Sequence, residues 1–134
     1  MNLWKIVWVD PKKAHEQCVA NGDAVIELVT RLHSNEKSVR PVVEIMKLPS
    51  ESPSLSIAVG HEETVLTFEE CSTPPYYISI GNPARSGTSP MFIHGGQGID
   101  HLAKNLVPWS AGLRALVEFL TTGERPGAVD WERL

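Results

Sequence analysis

Apolar residues along this chain repeat with two different periods, and the change between periods marks out its elements. Near the C-terminus, Leu113, Leu116, Val117 and Leu120 fall at i, i+3, i+4 and i+7. This predicts a helix with one continuously apolar face, with Arg114 and Glu118 four residues apart on another. Val25, Leu28, Val29 and Leu32 repeat the pattern and predict a second helix, ending near His33-Ser34-Asn35. Ser110 and Asp23 are the expected N-caps of the two. Gly123 supplies a left-handed residue for a C-terminal stop, and Pro126, three residues on, cannot continue the helix.

Elsewhere the period is two. Leu55, Ile57 and Val59 alternate with Ser56 and Ala58, and Leu66 and Phe68 with Thr67 and Glu69, so each segment is expected to bury one face and wet the other. Gly60-His61-Glu62-Glu63 can turn the chain between them, which predicts an antiparallel hairpin. Leu3 to Val9, closed by Asp10-Pro11, reads as a first strand; Pro41 to Leu48, Tyr76 to Ile80 and the closing Val129-Asp130-Trp131 read as others. Lys12 to Asn21 is ambiguous. Pro49 to Ser54 and Cys71 to Pro75 are loops by composition, and the glycine-rich stretch Gly81 to Gly98 is irregular apart from a short strand over Met91 to His94. Strands joined by turns rather than helical crossovers predict an α+β fold: a mainly antiparallel β-sheet with two principal helices packed on one face, as a single domain over residues 1–134. Trp4, Trp8, Trp109 and Trp131 are expected to pack, although Trp109, at a helix entrance, is also placed where an interface anchor could sit.

With 134 residues, 42% of them hydrophobic, the chain is long enough to bury a core without staples. Net charge is −4 and no window is rich in Lys or Arg, which argues against direct nucleic-acid binding. Cys18 and Cys71 are far apart and belong to no paired motif; they read as buried or half-buried thiols of a reducing compartment. Met1-Asn2-Leu3-Trp4-Lys5 lacks the features of a secretory leader, and no apolar run approaches the roughly 20 residues that span a bilayer, so the expectation is a cytoplasmic protein without membrane contact.

Motifs with chemical potential are incomplete. His94-Gly95-Gly96-Gln97-Gly98 is similar to the oxyanion loop of some esterases, but the chain has no Gly-x-Ser-x-Gly elbow to accompany it. His61-Glu62-Glu63 holds the His-x-Glu half of a zinc deaminase signature without the Pro-Cys-x-x-Cys half. His15 and Cys18 stand three residues apart, yet no spacing links them to His94 or His101 as a metal set. No metal, cofactor or catalytic group is therefore assigned. Glu62, Glu63, Glu69 and Glu70 bracket one predicted strand. They form either a solvated, charge-protected edge or an acidic surface for a basic partner.

The C-terminal quarter also carries a family resemblance. A Val107-Pro108 entry, an Ala-containing amphipathic helix ending in Glu118-Phe119-Leu120, Thr122-Gly123-Glu124-Arg125-Pro126 and a closing Val129-Asp130-Trp131 resemble the immunity proteins of bacterial polymorphic toxin systems, immunity family one (Imm-one). Leu55 to Gly60, Val65 to Phe68 and Tyr76 to Pro83 look like that family's central strands and Gly-x-Pro turn, so the resemblance covers roughly Leu55 to Leu134. It implies a non-enzymatic inhibitor that binds a cognate toxin domain, in some members a nucleic-acid deaminase. It also favours the acidic-surface reading: Glu62, Glu63, Glu69 and Glu70 would fill a positive groove, while the glycine-rich loop from Arg85 to Gly98, with Arg85 and His94, supplies specific contacts. The alternative is a small ligand-binding protein or enzyme in which the His94 loop joins His15 or Cys18 around a pocket.

Overall fold

The protein is described here by a computed structural model covering residues 3–134; Met1 and Asn2, part of the segment read above for a leader, lie outside the described residues. The chain runs β1 (Trp4–Val9), β2 (Ala14–Val19), α1 (Gly22–Asn35), β3 (Val42–Lys47), β4 (Ser54–Ala58), β5 (Glu63–Thr64), β6 (Leu66–Glu69), β7 (Tyr76–Ile80), β8 (Phe92–His94), β9 (Gln97–Ile99), a 3-10 turn at Ala103–Asn105, β10 (Val107–Pro108), α2 (Trp109–Thr122) and β11 (Asp130–Arg133). Seven strands form one sheet in the order β11-β7-β6-β4-β3-β1-β2, every pair antiparallel. The α+β expectation holds, and so does the hairpin of β4 with β6. The ambiguous Lys12 to Asn21 segment resolves into a turn and the edge strand β2. Lys12 and Lys13 N–H groups donate to the Asp10 carboxylate there, at 2.8 and 2.9 Å.

Cross-strand register assigns each residue to a face. Ile6, Val43, Ile45, Leu55, Ile57, Leu66 and Phe68 share one face and are essentially inaccessible. Both helices pack against it: Val25, Leu28, Val29 and Leu32 of α1 are all buried, as the period predicted, and join Ala115, Leu116 and Phe119 of α2 in one core. Each such aliphatic burial contributes about 1.5–3 kcal/mol. Phe119 meets Trp4 edge-on at 5.4 Å and Phe68 at 6.0 Å, locking α2 to the sheet.

Both caps differ from expectation. Asn21, not Asp23, caps α1, its side chain accepting the Ala24 N–H at 2.9 Å. Ser110 lies inside α2. That helix begins at Trp109 because the pairing of β10 with β5 brings the Trp109 N–H to the Glu62 carbonyl at 2.9 Å, which satisfies a free helix donor without a side chain. The stop at Gly123 is as expected, with φ +71°. The buried face of α2 is also rotated. Gly112 sits so close to the sheet that a Cβ there would lie 2.5 Å from the Thr64 methyl. Gly112, Ala115, Leu116 and Phe119 therefore face inward, leaving Leu113 and Leu120 half-buried and Val117 47% exposed.

Candidate functional site

The sheet's second face carries Lys5, Val7, Val42, Glu44, Met46, Ser54, Ser56, Ala58, Thr67, Glu69, Tyr76 and Ile78, by the same register. Alternation predicted that this face would be wet, and only half of it is. Toward one end, Val42, Ala58, Val65 and Ile78 are buried under the segment between β7 and α2, with Phe92, Ala103 and Leu106 closing a second apolar cluster. Phe92 is completely buried. This covering segment is the glycine-rich stretch expected to be irregular. The predicted short strand exists as β8, and it pairs with β9 through Gly95 and Gly96, whose φ values of +60° and +84° suit the two central positions of a tight hairpin. The glycines serve a turn, and the His94-Gly95-Gly96 sequence is not arranged as an oxyanion loop.

Beyond the cover the face stays open. Glu44, Ser54, Ser56, Thr67 and Glu69 floor a polar cleft of about 370 Å³, rimmed by Ser50, Glu51, Ser52, Cys71, Ser72 and His94. The Ser56 and Thr67 hydroxyls hydrogen-bond to each other across the floor. His94 Nε2 lies 2.7 Å from Glu44 Oε1, and this hydrogen bond raises the imidazole above its usual range, against the effect of burial and with help from the Glu69 charge. At the edge, Lys5 Nζ contacts Glu51 at 3.1 Å and Glu16 at 3.2 Å. Glu16, Glu44, Glu51 and Glu69 thus surround one lysine and one histidine, and carboxylates outnumber fixed cations.

The residues singled out from sequence fall in three places. Glu69 and His94 meet in this cleft. Glu63 and Arg85 meet elsewhere, as a bidentate pair at 2.7 and 3.1 Å that ties the loop after β7 to the β4–β6 hairpin and lowers the Glu63 carboxyl. Glu62 is exposed beside them. Glu70, at the opposite end of β6, borders a shallow groove with Phe68, Tyr77, Glu124 and Arg125, so the four glutamates do not form one patch. Glu16, Glu44 and Glu51 were missed. A signal for Glu44 existed: it stands between Val43 and Ile45 in a predicted strand, a period-two position opposite the core.

The pocket imagined around His94 with His15 or Cys18 does not assemble. His15 stacks on Trp8 at 4.8 Å on the helix side of the sheet and bonds Asp10 at 2.7 Å. Cys18 and Cys71 are both free and exposed, not buried as expected, because one lies on the edge strand β2 and the other in the turn after β6. His61 Nδ1 accepts the Glu63 N–H at 3.1 Å, a turn role. Among the described residues, no group of three His, Cys, Asp or Glu side chains is placed to hold a metal ion, and no helix is long and apolar enough to cross a membrane.

A model of the family Immunity protein Imm1 matches residues 13–133. The chain belongs to the Imm1 immunity protein family. The match extends the resemblance from Leu55 back to residue 13, so in this Imm1 chain it takes in β2, α1 and β3, where the sequence alone suggested only a similar order of elements. No curated protein matches the chain. Imm1 membership supports a toxin-neutralising role with a toxin as partner, and an inhibitor rather than an enzyme.

Proposed function

We propose that this chain neutralises a cognate toxin that acts on nucleic acid by seating its acidic cleft in the toxin's basic substrate groove, inside the producing cell's cytoplasm. The observation that carries the reading is the half-open second face: a sheet spends one end on a packed cover and leaves the other end concave, polar and lined by Glu44, Glu51 and Glu69. A toxin that handles phosphates must present positive charge to them, and a negative concavity on a rigid sheet complements that surface. Glu62 and Glu70 lie outside the cleft as separate negative charges, Glu62 beside the Glu63–Arg85 pair and Glu70 in the groove with Tyr77 and Arg125. The Glu63–Arg85 pair has its charge internally matched and acts as a brace for the loop. A nucleic-acid deaminase is the toxin class that the Imm-one resemblance favours.

The test is co-expression with the toxin domain encoded beside this chain, scored by growth, then affinity of the purified pair as a function of salt. Glu44→Gln/Glu51→Gln/Glu69→Gln should weaken the complex and flatten its salt dependence. If affinity and salt dependence both stay as in the wild type, the cleft is not the interface.

A further inference from the structure

The outer face of α2 has features that neither the core nor the cleft explains. At 100° per residue, Ser110, Arg114, Val117 and Thr121 form one stripe, with steps of four, three and four, directly opposite the buried Gly112, Ala115 and Phe119. Arg114, Val117 and their neighbours Leu113 and Glu118 line an open groove whose far wall is Gly127 and Ala128, two residues without bulk. Val117 is 47% exposed at its centre. Arg114 has no ion pair or hydrogen bond among the described residues, whereas Glu118 is held in place by the Ala128 N–H, which donates to one carboxylate oxygen at 3.0 Å and leaves the other free.

We propose that this face binds a second copy of the same chain, the two α2 helices packing antiparallel about a two-fold axis that crosses the exposed stripe midway between Arg114 and Val117. The charge pattern selects that occupant. On an antiparallel pair the same flank of each helix meets its counterpart. One flank of the stripe holds Arg114 and Glu118, and about this axis each Arg114 falls opposite the other copy's Glu118. The other flank holds Leu113 and Val117, and there the apolar side chains of the two copies meet. The surface is therefore complementary to itself in charge and in polarity. Gly127 and Ala128 give the incoming helix room to approach. A single 14-residue helix from each copy is a small contact, so the dimer belongs in the weak, micromolar class.

Sedimentation velocity over a micromolar concentration series tests this. The wild type should shift from monomer to dimer with rising concentration. Val117→Asp should be monomeric throughout, and Arg114→Glu should lose at least about tenfold in self-affinity, since it sets like charges together twice across the axis. Both positions are exposed, and thermal unfolding checks that each variant is folded. Arg114→Glu and Glu118→Lys chains, each weakened alone, should pair with each other when mixed, which an unrelated dimer surface would not produce. A wild type monomeric at every concentration overturns the proposal, as does a dimer that Val117→Asp and Arg114→Glu leave intact. If the wild type is monomeric while Val117→Asp abolishes toxin neutralisation, the groove is a toxin contact instead and the second copy is excluded.

Discussion

Replacing Phe92 by alanine separates a packed cover from a free recognition loop. The Phe92 ring is completely buried against a cluster that includes Val42, Ala58, Val65, Ile78 and Leu106, so its removal loses the transfer energy of a full aromatic side chain and leaves a void the sheet cannot collapse into. Core Phe→Ala changes cost about 3–5 kcal/mol. That is a large part of the roughly 5–15 kcal/mol by which domains of this kind are stable. With an unfolding entropy of about 2.1 cal/mol/K per residue, the melting temperature should fall by about 11–18 °C for a chain this long. Urea unfolding should show a lower midpoint with the slope unchanged, since the native surface changes little. Phe92→Leu should fall between variant and wild type. A loss below about 1 kcal/mol for Phe92→Ala would refute the reasoning, because it would mean that the 81–106 segment is not a structural layer and that the sheet's second face is stable uncovered.

Other perturbations probe other parts of the structure. Gly81→Ala should destabilise by at least about 2–3 kcal/mol in urea unfolding, because the added Cβ would lie 2.0 Å from the Leu106 carbonyl oxygen, whereas Gly98→Ala meets only the flexible Met91 side chain and should cost less. His33 is held below its ordinary value near 6.5 by burial first and then by Lys37 and His61, and its Nδ1 accepts the Gly60 N–H at 3.0 Å. The unfolded chain thus binds the extra proton more readily; this contribution is full above about pH 6.5 and is lost as pH falls through the folded value. His33→Gln should flatten that acid arm in unfolding midpoints measured against pH. His94 behaves oppositely: its pair with Glu44 raises it, so its contribution is full below about pH 6.5 and fades as pH rises through the folded value, a slope that Glu44→Gln should remove. Both thiols should react with a disulfide reagent in the native state, Cys71 at lower pH than an ordinary cysteine because bonds to Thr73 lower it. Protection of either thiol would contradict the exposed placement.

What the sequence made legible follows from how far each signal reaches. The core face was readable because Val43, Ile45, Leu55, Ile57, Leu66 and Phe68 repeat at period two and α1 repeats at i, i+3, i+4, i+7, and both periods come from local backbone geometry. The orientation of α2 was not, since Gly112 and Ala115 count as weak apolar residues in a periodicity yet permit the closest approach to the sheet, which turns Val117 outward. The cover on the second face has no period at all: one buried ring, two glycines at a turn and a chain of backbone bonds, such as Ile93 N–H to the Arg40 carbonyl at 2.9 Å, hold it down. The acidic cleft exists only because that cover stops short, so its charged residues come from β1, β2, β3, β6, β8 and the β3–β4 loop, over a floor that β4 completes with Ser54 and Ser56, and form no run in the sequence. A charge cluster read along one strand, Glu62 to Glu70, therefore found only Glu69 of the cleft. The glutamates that surround it are neighbours across strands, and pairing register, which depends on the whole sheet, is what brings them together.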